Sequence, residues 1–302
     1  MSSIGDAETP PRVAPGRRLS TYLYRRPRLR LGALLATPLG WLGIAYLGSL
    51  AVLFVAAFWR LDPLATHVVH DYSLDNFRTL VEEPVYRTIT LRTVGTAAAV
   101  TVTDAVLAFP IAYYMARVAT PRVRAALVVA VLTPLWASYL VKIYAWRIIL
   151  QEDGVLNWAL GPLGLSGPGF GKYALWLVFT YLWLPFMVIP IYAGLERLPS
   201  SLLEALSDLG ARGSRTFRSV VLPIAFPAVV AGSIFTFSLT LGDYVTPLLA
   251  GGADSQFIGN VVYSSIGISN NTPFAAAFAM VPLIVMAVYL LIARQLGAFE
   301  AL

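Results

Sequence analysis

The stretch YALWLVFTYLWLPFMVIPIYAGL, residues 173–195, contains 23 consecutive residues without a charged side chain. A helix rises about 1.5 Å per residue, so roughly 20 apolar residues span the ~30 Å hydrocarbon core of a bilayer. The rest of the chain has the same character, with 58% hydrophobic and 13% charged residues and a mean hydropathy of +0.71. A soluble domain of 302 residues cannot bury so much apolar surface, so we expect a membrane protein.

Five further apolar stretches have the length of a membrane span, and we predict an all-α protein with six transmembrane helices. The predicted spans are 34–59, 89–116, 125–150, 173–195, 222–249 and 274–293. Residues 1–30 are expected to form a basic N-terminal tail, and residues 31–302 one six-span membrane domain with a hydrophilic loop at 196–221. The chain contains no cysteine, which excludes disulfides and thiolate metal sites.

Basic residues predict the orientation, because Lys and Arg are retained on the cytoplasmic side of a membrane. Seven arginines precede the first span, so we expect the N-terminus in the cytoplasm, and six spans return the C-terminus to the same side. The segments expected outside are 60–88, 151–172 and 251–273, which together hold eight acidic residues. A membrane topology requires this bias, so the basic composition does not indicate a nucleic-acid partner.

The cytoplasmic loop carries the most specific pattern in the chain. A Pro-Ser pair at 199–200 can begin a helix and Gly210 can end it, which predicts a short leucine-rich helix over 200–209. A second short helix, 214–221, would lead into Leu222-Pro223, because proline is tolerated in the first turn of a helix. The leucines indicate a protein partner, although an amphipathic connector resting on lipid headgroups would show the same pattern.

The loop contains Glu204-Ala205, a glycine six residues after the Glu, and an apolar-x-Leu-Pro sequence at 220–223. This spacing resembles the EAA loop of ABC importer permeases. Further motifs make the chain similar to permeases of the spermidine/putrescine class of type I ABC importers. They are FPIAY (109–113), PLWASYL (134–140), YAW (144–146), LPF (184–186) and LGDYVTP (241–247), with Gly251-Gly252 and Ile258-Gly259-Asn260. Leu206 and Lys142 depart from the pattern, which usually has a second alanine and an arginine there.

The resemblance implies that residues 200–212 form a coupling helix that docks in a groove of an ATPase subunit. The residues implied for this contact are Ser200, Leu203, Glu204, Ala205, Leu206, Asp208, Gly210, Ala211, Arg212, Leu222 and Pro223. It also implies a bacterial inner-membrane protein that works with an ATPase dimer, a second, paralogous permease and an extracytoplasmic substrate-binding protein. ATP and Mg²⁺ would be bound by the ATPase, with no cofactor or metal on this chain. The implied cargo is spermidine or putrescine.

Two acidic residues inside predicted spans, Asp104 and Asp243, are candidates for cargo contact, because a membrane carboxylate costs about 2.5–3.5 kcal/mol on insertion scales. Nearby aromatic rings could add cation–π contacts to a polyamine of about 0.5–2 kcal/mol each. The predicted path residues are Asp243, Tyr244, Asp104, Trp136, Tyr139 and Trp146. Two alternatives stay open. The acids could form internal ion pairs with Lys142 or Arg147, or those cations could suit another small solute such as a phosphonate or an opine.

The sequence predicts no enzyme. Its two histidines, His67 and His70, have no third metal ligand nearby in the sequence, and no Gly-x-Ser-x-Gly motif occurs. The segment 167–172 departs from a phosphate loop, because Tyr173 replaces the required Ser or Thr. The alternatives from other classes are a self-contained secondary transporter, which would need coupling-ion sites and usually an internal repeat, and a membrane scaffold without cargo.

Overall fold

The computed structural model describes residues 27–62, 67–208 and 210–295. The chain divides into two compact units, Met1–Val55 and Ala56–Leu302, and each is described by itself. In the first unit, helix α1 (Pro27–Trp41) continues through a π-helical turn (Leu42–Leu47) into α2 (Gly48–Ala56). Most of the predicted basic tail, residues 1–26, lies outside the described residues.

The second unit is also built mainly from helices. In chain order they are α3 (Asp75–Glu82), α4 (Pro84–Tyr113), α5 (Pro121–Trp136), α6 (Tyr139–Leu150), α7 (Val155–Leu160), α8 (Lys172–Glu196), α9 (Ser200–Asp208), α10 (Gly213–Thr216), α11 (Leu222–Gly242), α12 (Val245–Ala250), α13 (Ile258–Gly267) and α14 (Thr272–Gln295). A 3₁₀ turn covers Gly161–Leu163, and π-helical segments cover Tyr114–Val118 and Phe217–Val221. Two short strands that were not predicted, β1 (Arg60–Leu61) and β2 (Val68–Val69), pair antiparallel.

The helix lengths confirm the predicted all-α membrane architecture. Within the described residues, five helices are long and apolar enough to cross a membrane, and the bent pair α5–α6 supplies a sixth span if it is counted as one. The five are Leu34–Ala56, Pro84–Val118, Lys172–Glu196, Gly213–Gly242 and Thr272–Gln295. The third and fifth spans differ from the prediction in their internal form.

The third predicted span, 125–150, is a broken helix. Its two halves, α5 and α6, are bent by 94° at the break. The two residues between them, Ala137 and Ser138, have extended backbone, with ψ of 141° and 135°. Hydropathy does not detect this break, because apolar residues continue on both sides of it.

The fifth predicted span, 222–249, was wrong at both ends. Its helix runs continuously from Gly213 to Gly242, so the expected separate helix at 214–221 is part of the span. In a regular α-helix, the Pro223 ring would clash with the carbonyl of residue 219, and that carbonyl lies in the wider π-helical segment. Asp243 is then extended, with ψ of 130°, and α12 follows as a separate short helix.

The core of the second unit is formed by three helices that pack against one another, α4, α8 and α11. Small residues allow their close contact. A Cβ added at Gly194 would lie 2.5 Å from the Cβ of Ala228, and one added at Gly232 would lie 2.8 Å from the Sδ of Met187. Because lipid supplies no hydrophobic force between helices, such backbone approach and its van der Waals contact hold a membrane bundle together.

Two apolar clusters lie along α8. The first cluster includes Val100, Phe179 and Trp183, and it also takes in residues of α6 and α12. The second cluster includes Ala108 and Leu195 and joins the ends of α4 and α8 to the start of the fifth span. The two candidate sites lie beside these clusters, one at each.

Candidate functional site

The predicted coupling helix exists as α9, Ser200–Asp208. Gly210 follows it with φ of +73°, a left-handed conformation that glycine adopts without steric cost at the end of a helix. The backbone N–H of Ala211 donates to the carbonyl of Leu206 at 3.0 Å and completes this end. The sequence therefore predicted both the helix and its terminating residue, and Leu209 lies outside the described residues.

One side of α9 is anchored to the bundle and the other is exposed. Leu203 packs against the second cluster, whereas Glu204, Ala205 and Asp208 are exposed. No basic side chain in the described ranges is within ion-pair distance of Glu204. This helix is thus held by an apolar contact while its acidic surface remains available.

Arg117 fixes the approach to this helix, and the sequence analysis did not single it out. Its guanidinium donates to the backbone carbonyls of Leu195, in the last turn of α8, and of Leu198, just beyond the helix. The last carbonyls of a helix, here that of Leu195, have no partner within the helix, so a half-buried arginine that bonds this carbonyl and that of Leu198 stabilises the chain just before the loop. The sequence did contain an indication of this role, because Arg117 lies in a short turn between two predicted spans.

A cleft of about 580 Å³ lies beside α9. It is lined by Leu206, Gly210, Ala211, Arg212, Ser214, Arg215, Thr216, Ser219 and Val220. Four of the predicted coupling residues, Leu206 and the run 210–212, line it. The two other predicted positions, Leu222 and Pro223, are exposed on the first turn of α11. The cleft therefore lies between α9 and the start of the fifth span, and the two charged side chains in its lining are arginines.

Among the predicted path residues, the structure brings Asp243 and Tyr139 together. The Tyr139 hydroxyl donates to Asp243 Oδ2, and the Thr246 hydroxyl donates to the same oxygen at 2.7 Å. Asp243 Oδ1 accepts the backbone N–H groups of Val245 at 2.8 Å and Thr246 at 3.1 Å. Asp243 is 8% exposed, so it lies almost entirely within protein contacts at the break of the fifth span. Thr246 was missed as a site residue, although its place three residues after Asp243 is a helix-capping pattern.

The four aromatic path candidates differ in their surroundings. Trp136 at the end of α5 is 89% exposed. Tyr244 stacks on Tyr263 with ring centroids 5.0 Å apart, and Trp146 contacts Tyr181 at 5.5 Å. Tyr139 is part-buried and stacks on the Trp183 ring at 6.1 Å. Tyr244 and Trp136 thus offer open aromatic surface, and the other two rings are partly packed.

Asp104 lies apart from this group. It is on α4, one turn beyond Val100 of the first cluster and one turn before Ala108 of the second, and it is 0% exposed. Neither of its carboxylate oxygens has a hydrogen-bond partner in the described part of the chain. Within the same ranges, neither Asp104 nor Asp243 forms an ion pair with Lys142 or Arg147. The alternative of an internal ion pair is therefore wrong in this structure.

The membrane-capable helices, with a broken third span and the exposed helix α9 before the fifth, are the architecture of a membrane transport protein. The chain belongs to the family described as binding-protein-dependent transport system inner membrane component, which matches residues 105–299. It is the permease subunit of an ABC transporter, a multi-pass inner-membrane protein.

Two curated relatives extend the match over most of the chain. It is 47% identical over 313 residues to the inner membrane ABC transporter permease protein YdcU of Escherichia coli strain K12, with 98% of both chains covered. It is 32% identical over 264 residues to the spermidine/putrescine transport system permease protein PotB of the same strain, with 86% of this chain and 94% of PotB covered.

Solved transporters share the fold. A chain of the bacterial alginate ABC transporter in complex with alginate pentasaccharide-bound periplasmic protein superimposes with a TM-score of 0.71 at 17% identity, covering 94% of this chain and 98% of that one. A chain of the MetNI methionine ABC transporter in an inward-facing conformation gives a TM-score of 0.57 at 17% identity, covering 72% and 99%. At these identities the likeness shows the type of fold alone.

Proposed function

We propose that this permease subunit imports polyamines such as spermidine and putrescine, driven by ATP hydrolysis on a partner ATPase dimer. It forms half of the translocation path beside a second, paralogous permease and receives cargo from an extracytoplasmic substrate-binding protein. ATP and Mg²⁺ bind to the ATPase, and this chain carries no catalytic site of its own. The similarity to PotB, a spermidine/putrescine transport system permease protein, supports the polyamine cargo.

The single observation that carries the coupling proposal is the placement of α9. An exposed helix with Glu204, Ala205 and Asp208 on its surface is anchored by Leu203 to the cluster that joins α4, α8 and the fifth span. A force applied to α9 is transmitted through this contact, because packed helices move as rigid elements with little compressibility. The cleft beside α9, with Arg212 and Arg215 in its lining, suits acidic groups of the ATPase.

The proposed path runs past the two helix breaks. In this proposal the exposed rings of Trp136 and Tyr244 line the path together with Tyr139 and Trp146, and such rings attract a polyamine ammonium by about 0.5–2 kcal/mol each. We propose Asp243 as part of the wall of this path and Asp104 as a residue that cargo reaches only after α4, α8 and α11 separate.

The coupling proposal is tested by Glu204→Lys in the complete transporter reconstituted in vesicles. We expect ATP hydrolysis to lose its stimulation by cargo-loaded binding protein and uptake to stop, because the exposed acidic surface of α9 is reversed. The matched control is Glu83→Lys, an exposed acid between α3 and α4, which should leave both activities unchanged. Normal stimulation in the Glu204 variant would contradict the proposal.

The cargo is tested with the binding protein and the reconstituted transporter. Labelled spermidine and putrescine should be retained by the binding protein and accumulated in an ATP-dependent manner. Retention of a phosphonate or an opine in preference to any polyamine would overturn the cargo. Uphill accumulation by this chain alone, without ATPase subunits, would instead establish a secondary transporter.

A further inference from the structure

Two membrane helices break at neighbouring points, and one carboxylate lies between the breaks. The third span breaks at Ala137–Ser138, just before Tyr139, and the fifth span breaks at Asp243–Tyr244. We propose that Asp243 is a positioning residue that ties the two breaks into one joint and does not pair with the cargo. The inference rests on the proposed function, because cargo transport is one of its readouts.

The hydrogen bonds of Asp243 connect three helices. Tyr139, which donates to Oδ2, is the first residue of α6. Val245 and Thr246, whose N–H groups donate to Oδ1, are the first residues of α12. Asp243 itself follows the last residue of α11. One side chain, at the end of α11, therefore caps α12 and bonds the first residue of α6.

The carboxylate has no free acceptor for a cargo ammonium. An ionised carboxylate offers about four lone-pair positions, and Asp243 receives the Tyr139 hydroxyl, the Thr246 hydroxyl and two backbone N–H groups. A cargo cation would have to displace one of these donors and leave it unpaired in a buried site, which is costly. The geometry thus assigns the charge of Asp243 to the protein's own donors.

The joint is held from its other side by α13. The Asn260 side chain donates to the Tyr244 carbonyl at 2.7 Å and accepts the Phe257 N–H at 3.0 Å. Gly259 allows this approach, because a Cβ there would lie 2.9 Å from the Tyr244 Cβ and 3.2 Å from the Asp243 carbonyl oxygen. The backbone at the break is consequently fixed by α13 while the carboxylate fixes α6.

The hydrogen bonds that α6 and α12 share through Asp243 make the two helices one rigid body relative to α8. The two short helices pack together, and the first cluster contains Ile143 of α6 and Ala250 of α12 beside Phe179 of α8. When the path reopens during transport, α6 and α12 move together because their first residues share the Asp243 carboxylate. Loss of the joint lowers the rate of this movement for every cargo and leaves cargo affinity unchanged.

The first test compares two substitutions of Asp243 in the complete transporter. Asp243→Asn keeps the side-chain size and an oxygen for the two N–H groups, and its NH₂ group can donate to the Tyr139 and Thr246 hydroxyl oxygens once these hydroxyls rotate, with the Tyr139 hydroxyl able to donate to Thr246 Oγ1 at 3.0 Å. Asp243→Ala removes all of these bonds. We expect Asn to retain at least about a third of wild-type uptake and Ala to lose about 10-fold. Equal loss in both variants would show that the charge itself is needed and would overturn the proposal.

The second test separates rate from affinity. Tyr139→Phe should lower the maximal uptake rate about 10-fold, with the KM for spermidine and for putrescine changed less than about twofold. Thr246→Val should act in the same direction, and the control Tyr144→Phe, an exposed tyrosine of α6, should act like wild type. A raised KM with an unchanged maximal rate in the Tyr139 variant would contradict the joint.

ATP hydrolysis distinguishes failure of the joint from failure of the cargo proposal. The measurement uses the binding protein in the cargo-loaded form in which it is purified. If wild-type transporter takes up no polyamine, the cargo proposal fails, and the stimulated ATPase of the Asp243 and Tyr139 variants still decides the joint. Wild-type stimulation in Tyr139→Phe and in Thr246→Val would overturn it.

Discussion

Gly194 of α8 and Ala228 of α11 lie so close that a Cβ at position 194 would stand 2.5 Å from the Cβ of Ala228. A real carbon pair at that distance must separate, so the glycine sets how near the two helices can pack. This contact lies near the end of α8, just before the loop that contains α9, and a displaced α8 would move Leu195 and the second cluster with it.

Gly194→Ala should therefore destabilise the subunit by about 1–3 kcal/mol, the usual cost of overpacking a close contact. The double variant Gly194→Ala/Ala228→Gly restores the space and should recover most of the loss. Thermal unfolding of the solubilised transporter measures both. Gly95→Ala is the control, because a Cβ there has nothing within 4 Å. A stable single variant would show that the helices accommodate the extra carbon.

Thr93 links α4 to the start of α13. Its hydroxyl accepts the Ile258 N–H at 3.1 Å and donates to the Ile89 carbonyl at 2.9 Å, and Thr93 is fully buried. Thr93→Val keeps the shape but leaves the Ile258 N–H without its partner, which should cost about 1–3 kcal/mol. Thr88→Val, which removes only an exposed bond to Pro84, should be near neutral. Equal melting temperatures for the two variants would contradict this role.

Arg117 should matter for coupling as well as for stability. Arg117→Ala leaves the carbonyls of Leu195 and Leu198 without their donor and loosens the segment that leads into α9. We expect lower stimulation of ATP hydrolysis by cargo-loaded binding protein, while unstimulated hydrolysis persists. Arg122→Ala, an exposed arginine at the start of α5, is the matched control. Full stimulation of ATP hydrolysis in the Arg117 variant would show that these hydrogen bonds are not needed for coupling.

Asp104 should be a source of instability. Its two carboxylate oxygens are buried without a partner in the described ranges, and burying an unpaired polar group costs free energy that a well-packed apolar side chain does not. Asp104→Leu should therefore raise the melting temperature of the transporter. Thermal unfolding of the wild type and the variant gives the answer. A lower melting temperature for Asp104→Leu would show that the carboxyl has a stabilising partner.

Much of the fold could be predicted because a lipid environment imposes simple rules. The length of the apolar stretch 173–195 predicted the bounds of α8 to within a residue or two. Gly210 gave the end of α9, because a left-handed residue at a helix terminus is a local property of the backbone. The breaks at Ala137–Ser138 and Asp243–Tyr244 could not be placed, since hydropathy is almost the same on both sides of each.

Two acidic residues of the candidate path show what could not be predicted from the sequence. Asp104 and Asp243 look alike in the sequence, as single acids within apolar stretches. In the structure, Asp243 has four donors and Asp104 has none in the described residues. The difference depends on Tyr139, which lies more than 100 residues away from Asp243 in the chain.

The amino-acid sequence by itself determined that this protein is a helical membrane protein with a short leucine-rich helix between its fourth and fifth spans. It could do so because apolar length, charge and helix-end residues act locally. Only the tertiary structure decided that Asp243 accepts four hydrogen bonds, that Asp104 has no partner among the described residues, and that the breaks of the third and fifth spans are bonded to each other. The hydrogen-bond partners of a side chain depend on how helices that are far apart in the chain pack together. No local sequence pattern encodes this packing.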